Sequence, residues 1–389
     1  MSRYSKCVTI MRNSKVCRPY LSFATLCMGC MGIILKFVPL AHGACINPPV
    51  QTGTTISRMS DAALKKNLQR HIAYLSETIG PRNIENQVCY QKLCQAARYI
   101  DHAFKEIGYQ PNITTYRATY NHQKFDVQNI EVVIPGNTSI PNGMDTKNST
   151  PCIVIGAHYD TVYGTPGADD NGSGIALLIE IARHMYELCT QLEDKTKIKC
   201  TIKLVAFPNE EAPYSLDVQT GKPFGSNMGS VQYAKQAKEK GEVIIGMVSL
   251  ESISYFSNKP GSQIYPWYLK WLKYFYGEQG NFLIMLGDLQ SRAFQKKWIA
   301  CYNQVRSEPF PMHPIVLPGW MPNVYRSDHG SFALEGFPAC MITDTANLRN
   351  PNYHQATDTI ATIDFNHFTQ AAQNVIETVV HLALDDPST

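Results

Sequence analysis

Ile153-Val154-Ile155-Gly156-Ala157-His158-Tyr159-Asp160 decides the fold: a run without polar residues leads straight into an imidazole and, two residues on, a carboxylate. A short unbroken apolar run is the pattern of a strand covered on both faces. Alternation along a strand puts His158 and Asp160 on one side, so Asp160 is placed to hold the ring while the other ring nitrogen takes a metal. One H-x-D by itself is a weak signal.

Outward from this strand, apolar runs and helical spacings alternate. Strands are expected at 127–134, 152–157, 201–207, 243–250, 282–286 and 339–343, and helices at 61–78, 87–107, 175–188, 231–240, 289–302 and 365–384. The first two helices are separated by the turn Gly80-Pro81-Arg82-Asn83. Such alternation predicts an α/β protein, a three-layer α/β/α arrangement around a mixed, mostly parallel sheet. The stretch 253–280, rich in Tyr, Trp and Phe, reads as a core helix or a lid, and the helical spacing of Trp267, Trp271 and Tyr274 favours core over pocket. There is no internal repeat and no second nucleus, so 59–389 is read as one domain after a polar linker at 45–58.

The 389 residues are 44% hydrophobic and 17% charged with a formal charge of +3, a globular composition that asks for no nucleic-acid partner. Segment 1–44 differs: Arg3, Lys6, Arg12, Lys15 and Arg18 precede the apolar run 21–35 and then Ala41-His42-Gly43-Ala44. A basic region, an apolar region and small residues read as an export signal, cleaved after Gly43 or Ala44, which places the chain in a periplasm or outside the cell. An uncleaved membrane anchor is the alternative; lipidation at Cys45 is disfavoured by His42 three residues before it. Of twelve cysteines, Cys7, Cys17, Cys27 and Cys30 leave with the signal, and eight remain. Cys89 with Cys94, and Cys189 with Cys200, are near enough in sequence to be disulfide candidates. Cys152 and Cys340 lie in apolar runs, where a thiol behaves as a small hydrophobe.

Polar residues recur where the strands end, the edge at which open α/β sheets place their ligands. Gly167-Ala168-Asp169-Asp170-Asn171-Gly172-Ser173-Gly174 opens a helix. Capping explains one of the two aspartates, and a short carboxylate with both oxygens free is able to bridge two cations. The strand 201–207 leads through Pro208-Asn209 to Glu210-Glu211. Neighbouring side chains point in different directions, so one glutamate can bind metal while the other faces a metal-bound water as a base. Glu251 closes the strand 243–250, and His354 follows Asn350-Pro351-Asn352-Tyr353 in a loop. Imidazole and carboxylate without thiolate suit Zn²⁺, two per chain, with Co²⁺ or Mn²⁺ also compatible.

Together these segments resemble peptidase family M28, from Ile79-Gly80-Pro81-Arg82 through H-x-D, G-A-D-D-N-x-S-G, the E-E pair, Ser327-Asp328-His329 and Gly336-Phe337-Pro338-Ala339 to Asp358-Thr359. The resemblance implies a zinc exopeptidase fold and an aminopeptidase acting on peptides. It implies that Asp170 bridges both metals, that His158 and Glu251 complete one site, and that Glu211 and His354 complete the other. Glu210 matches the catalytic glutamate and Asp160 the carboxylate orienting the first histidine. Glu251 departs from the aspartate that many aminopeptidases of the family carry. Tyr325 is a candidate oxyanion donor. A glutaminyl cyclase, a carboxypeptidase using Arg326 or Lys270 for a substrate carboxylate, and a non-catalytic binding protein on the same scaffold are the alternatives. Oligomeric state is not legible.

Overall fold

The structure, a computed structural model, describes residues 60–137, 150–192, 198–217, 219–306 and 310–385. The expected export signal and linker, 1–58, lie outside these residues. Eight strands form one sheet: β1 (Asn112–Tyr120), β2 (Gln123–Ile134), β3 (Cys152–His158), β4 (Thr201–Phe207), β5 (Ile244–Glu251), β6 (Leu283–Gly287), β7 (Met312–Val316) and β8 (Ala339–Thr343). Their order is β1-β2-β4-β3-β5-β8-β6-β7. The pairs β3/β4, β3/β5, β5/β8 and β6/β7 are parallel; β1/β2, β2/β4 and β6/β8 are antiparallel.

Every residue of β3 is buried, and alternation divides them between two cores. Ile153, Ile155 and Ala157 join a cluster with helices α1 (Asp61–Ala73), α2 (Gln87–Ile107), α3 (Gly174–Gln191) and, further along the chain, the C-terminal helix Phe365–Leu384. Cys152 and Val154 face the other way, towards Ala234 and Ala237 of α4 (Gly229–Glu239) and towards Phe332. Helices therefore cover both faces, as the apolar run of β3 required. The helix α1 is capped by Ser60, whose side chain accepts from the Ala63 amide, and it widens into a π-turn at Tyr74–Ile79 before the turn at Gly80.

Two strands had no clear signature. In β1 only Ala118 is buried, so an edge strand facing solvent carries no alternation to read. In β7, Pro314 interrupts the strand, a residue tolerated only at an edge. The aromatic stretch departs from the expected core helix. Its short 3₁₀ turn Trp267–Leu272 runs into α5 (Lys273–Tyr276), Leu272 is buried, and Trp267 and Tyr274 are 79% and 80% exposed. Helical spacing identified a shared face, but that face looks outwards. Neither disulfide candidate forms: Cys89, Cys94 and Cys200 are thiols. Cys152 and Cys340 are buried, as apolar residues would be. No helix among the described residues is long and apolar enough to cross a membrane.

Candidate metal centre

Three adjacent parallel strands deliver the site. His158 is the last residue of β3 and Glu251 the last of β5, while Glu210 and Glu211 follow the end of β4 at Phe207. Asp170 comes from the turn Ala168–Ser173 that starts α3, and His354 from the loop after Leu348. That turn is drawn tight against β5. Asn171 donates to the Leu250 carbonyl and accepts from the amides of Gly174 and Ser252, and a Cβ at Gly174 would collide with both Asn171 and that carbonyl.

The residues form two triads that share one carboxylate. His158 Nε2 lies 3.2 Å from Asp170 Oδ1 and 3.2 Å from Glu251 Oε2. His354 Nε2 lies 3.2 Å from Asp170 Oδ2 and 3.2 Å from Glu211 Oε2. Ligand atoms ~2.0 Å from a tetrahedral zinc stand ~3.3 Å from one another, which the distances from each histidine match, and the ligand atoms of each triad all lie within 4.8 Å of one another. Both ring nitrogens of His158, both oxygens of Asp170, His354 Nε2 and Glu211 Oε1 are buried without a hydrogen-bond partner among the described residues. Buried polar atoms are normally paired. His158 Nδ1 faces Asp160; the other five orphans sit in the two triads and fit cations, and the imidazole and carboxylate donor set fits zinc.

Charges around the centre tell the same story. Burial, and then the charge of Asp170, pushes Glu211 up to about 8. Burial also raises Glu251 and Glu210, Glu210 well above the ordinary range, with the neighbouring carboxylates adding to the effect. Burial would lower His354, but its contacts with Asp170 and Glu211 win and raise it to about 10. Asp170 moves down despite its burial, because His158 and His354 both touch it. Crowded carboxylates that are raised beside histidines that are also raised mark a site where added positive charge is favoured.

The surroundings fix these groups through the backbone. Asp160 accepts from the amides of Glu210 (3.0 Å) and Glu211 (3.1 Å) and stands 3.5 Å from His158 Nδ1. It therefore sets the strand end and the histidine ring together. Glu251, the longer side chain at its position, is held by Ser327 Oγ (2.8 Å) and Ser252 Oγ (3.2 Å), which donate to its two oxygens. Glu210 is half-buried, its carboxylate accepts no hydrogen bond among the described residues, and an oxygen of it lies within 4.8 Å of ligand atoms of His158 and Glu211. That is the placement of a group free to take a proton.

Several contributors had no assigned role in the sequence. Asp358 accepts from the amides of Asp169 (2.9 Å) and Asp170 (3.1 Å), fixing Asp170 from behind. Asp169 turns away from the centre and ties Ser254 and Asn350 together. Arg82 is fully buried and donates to the carbonyls of Leu75, Tyr159, Gly80, Pro166 and Gly167, so the Gly-Pro-Arg-Asn turn is a clamp on the loops carrying Asp160 and Asp170. Tyr353 stacks on His354 with ring centroids 3.8 Å apart. Tyr325, the candidate oxyanion donor, instead directs its hydroxyl to Asp288, donating at 2.8 Å, and does not line the cavity bordered by Glu251.

Beside the centre lies a cavity of about 280 Å³. Glu251 borders it, and its wall is mainly apolar, including Tyr265, Leu272, Tyr276, Phe282 and Leu317. The aromatic stretch thus supplies pocket rather than core. Arg326 lines this cavity and Lys270 does not.

The sequence profile described as peptidase family M28 matches residues 142–379. The uncharacterized protein YfbL of Escherichia coli is 30% identical over 330 residues, covering 81% of this chain and 87% of that protein. Leucine aminopeptidase 1 of Arthroderma otae is 25% identical over 276 residues, 68% of this chain; the chain spans 60% of that protein's length. Among solved structures, the zinc aminopeptidase BSAP of Bacillus subtilis aligns with a TM-score of 0.55 at 15% identity, over 82% of this chain and 95% of that one. A glutaminyl cyclase of Tannerella forsythia aligns with a TM-score of 0.53 at 17% identity, over 84% and 98%. These last two likenesses show the fold. By the extent of the profile match and the identity to YfbL, the chain belongs to peptidase family M28 and is a metallopeptidase.

Proposed function

We infer that this chain is an exported aminopeptidase that works with two zinc ions, releasing N-terminal residues from peptides. The observation that carries the reading is Asp170, whose two oxygens are shared between a His158/Glu251 triad and a His354/Glu211 triad. His158, Asp170 and Glu251 would hold one ion, and His354, Asp170 and Glu211 the other. When bound, such ions polarise a scissile carbonyl and make a water acidic enough to attack near neutral pH.

The protein's own groups then have separate tasks. Glu210, raised by burial and with no hydrogen bond among the described residues to compete for its oxygens, takes the water's proton and returns it to the leaving amine. Asp160 keeps the His158 ring and the Glu210-Glu211 backbone in register. The apolar cavity bordering Glu251 receives the side chain of the first residue, and the match to leucine aminopeptidases supports a large apolar side chain there. Segment 1–44 acts as the export signal, a reading that N-terminal sequencing of the mature protein checks.

A panel of aminoacyl and peptidyl substrates, run with and without chelator and with Glu210→Gln as control, tests this. Zinc-dependent release of N-terminal leucine or phenylalanine is expected. Cyclisation of N-terminal glutamine without peptide hydrolysis would replace the reading with a cyclase. A zinc-loaded chain that turns over nothing in the panel would leave a binding protein.

A further inference from the structure

The cavity beside the metal centre is apolar along most of its wall, but its lining is uneven. Among the described residues around it, Arg326 is the only Lys, Arg or His. The chain holds it close to the chemistry. The next residue, Ser327, donates to Glu251 Oε2 at 2.8 Å and is itself 2.7 Å from Ser249 Oγ, and consecutive Cα atoms are only ~3.8 Å apart. Arg326 is exposed, and no carboxylate among the described residues pairs with it.

One bond orients its guanidinium: Nη1 donates to Asn347 Oδ1 at 2.9 Å. Asn347 also lines the cavity. An amide whose oxygen accepts from arginine has its NH₂ group left to donate, so this side of the cavity offers the remaining guanidinium N–H groups and an amide NH₂. A planar fork of donors with positive charge is matched by a carboxylate, which accepts two parallel bonds from arginine. A plain surface contact between Arg326 and Asn347 would need no cavity beside it. The apolar walls nearby strengthen an ion pair formed at this edge, because they displace water from it.

Chain length then identifies which carboxylate. An aminopeptidase cuts after the first residue, and each further residue extends at most ~3.6 Å. The C-terminal carboxylate of a dipeptide therefore lies about one residue length beyond the cut bond, and that of a tripeptide about two, comparable to the span of an extended arginine side chain. Longer peptides carry their terminus out of range. We propose that Arg326, positioned by Asn347, binds the C-terminal carboxylate of the substrate and selects dipeptides and tripeptides among the peptides this enzyme cleaves. The inference rests on the aminopeptidase reading.

The test compares leucyl-glycine with leucyl-glycinamide, which differ only in the terminal charge, and adds leucine p-nitroanilide to report aminopeptidase activity as such. In the zinc-loaded wild type, kcat/KM for the free acid is expected to exceed that for the amide at least tenfold, mainly through KM. In Arg326→Gln that ratio falls to about one; in Arg326→Lys, which keeps the charge and loses the fork, it lies between. The ratio is internal to each protein, so partial misfolding of a variant does not alter it. A wild-type ratio near one, a ratio unchanged in Arg326→Gln, or equal slowing of acid and amide overturns the proposal. So does a wild-type preference for N-terminal Asp or Glu that Arg326→Gln abolishes, since the carboxylate recognised would then be in the side chain. A zinc-loaded wild type that leaves the p-nitroanilide and both dipeptides intact overturns the aminopeptidase reading and this inference with it, whereas p-nitroanilide turnover with a ratio near one overturns this inference alone.

Discussion

The metal centre and the cavity beside it meet at Glu251 and are assembled in opposite ways. Candidate ligands of the centre come from the ends of β3 and β5, the turns next to β4 and α3 and the loop after Leu348, and buried groups lock most of their backbones: Asp160 beneath Glu210 and Glu211, Asp358 behind Asp170, Arg82 across the loops of Asp160 and Asp170. The cavity is walled by the 264–276 stretch, β6, β7 and the 322–326 loop, a surface whose outer side leaves Trp267 and Tyr274 in solvent. On the proposed function, chemistry that tolerates little misplacement would sit on the rigid sheet, and selectivity on segments able to vary without disturbing it.

Substitutions at the centre should therefore cost the most. Glu210→Gln is expected to lower kcat by ~10²–10⁴, the range of a lost general base, with zinc content per chain unchanged by atomic absorption. Chelation should abolish activity in the wild type, with zinc restoring it. If Glu210→Gln instead lost zinc, Glu210 would be a ligand and the division between base and ligands would fail.

The support behind the centre comes next. Arg82→Met removes the donor to five buried carbonyls and should destabilise the fold by ~3–5 kcal/mol, since the acceptors are left without partners. Urea denaturation measures it. A loss below ~1 kcal/mol would mean that the loops around Asp160 and Asp170 hold themselves.

The same division explains what the sequence disclosed. His158, Glu251 and the Glu210-Glu211 pair were legible because each lies at or just past the end of a strand announced by an apolar run, and Asp170 because helix capping accounts for only one of two adjacent aspartates. Asp358 and Arg82 were visible as residues but not as partners, because Asp358 holds backbone 188 and 189 positions away in the chain and Arg82 reaches Tyr159, Pro166 and Gly167, 77, 84 and 85 positions away, on loops whose course no periodicity encodes. The aromatic stretch misled for a related reason. Spacing at 3.6 residues groups side chains on one face without saying whether that face meets protein or water, and with aromatics on both faces the composition did not choose.

Changes at the cavity wall should be smaller and selective. Leu269 lines the cavity from the 3₁₀ turn and is half-buried, so Leu269→Trp narrows the pocket without opening the core. Leucyl and phenylalanyl substrates should lose ~10-fold in kcat/KM relative to alanyl ones, the scale on which an apolar pocket discriminates by a few methylene groups. Equal loss on all three would mean that the wall also positions the metal ligands and that the two regions are not independent.

The smallest effect expected is a pH dependence of the wall itself. His313 of β7 stacks on Tyr276 with centroids 4.1 Å apart and meets Phe282 edge-on at 4.9 Å. Burial, and then the charge of Arg349, holds its pKa down at about 4, below the ordinary 6.5. Because the folded form gives up its proton more readily than the unfolded form, unfolding takes up a proton between these two values. The stabilisation is therefore complete above about 6.5 and is lost as pH falls towards 4, on the order of 2 kcal/mol after allowance for relaxation. His329, also held down at about 4 by burial, responds in the same window, so the informative quantity is a difference between proteins. His313→Phe keeps the stacking surface and removes the titration. Between pH 7 and pH 4.5 the wild type should lose roughly 2 kcal/mol more than this variant in urea denaturation. Parallel pH profiles would show that His313 is charged within the fold, and that the cavity wall is wetter than its stacked rings imply.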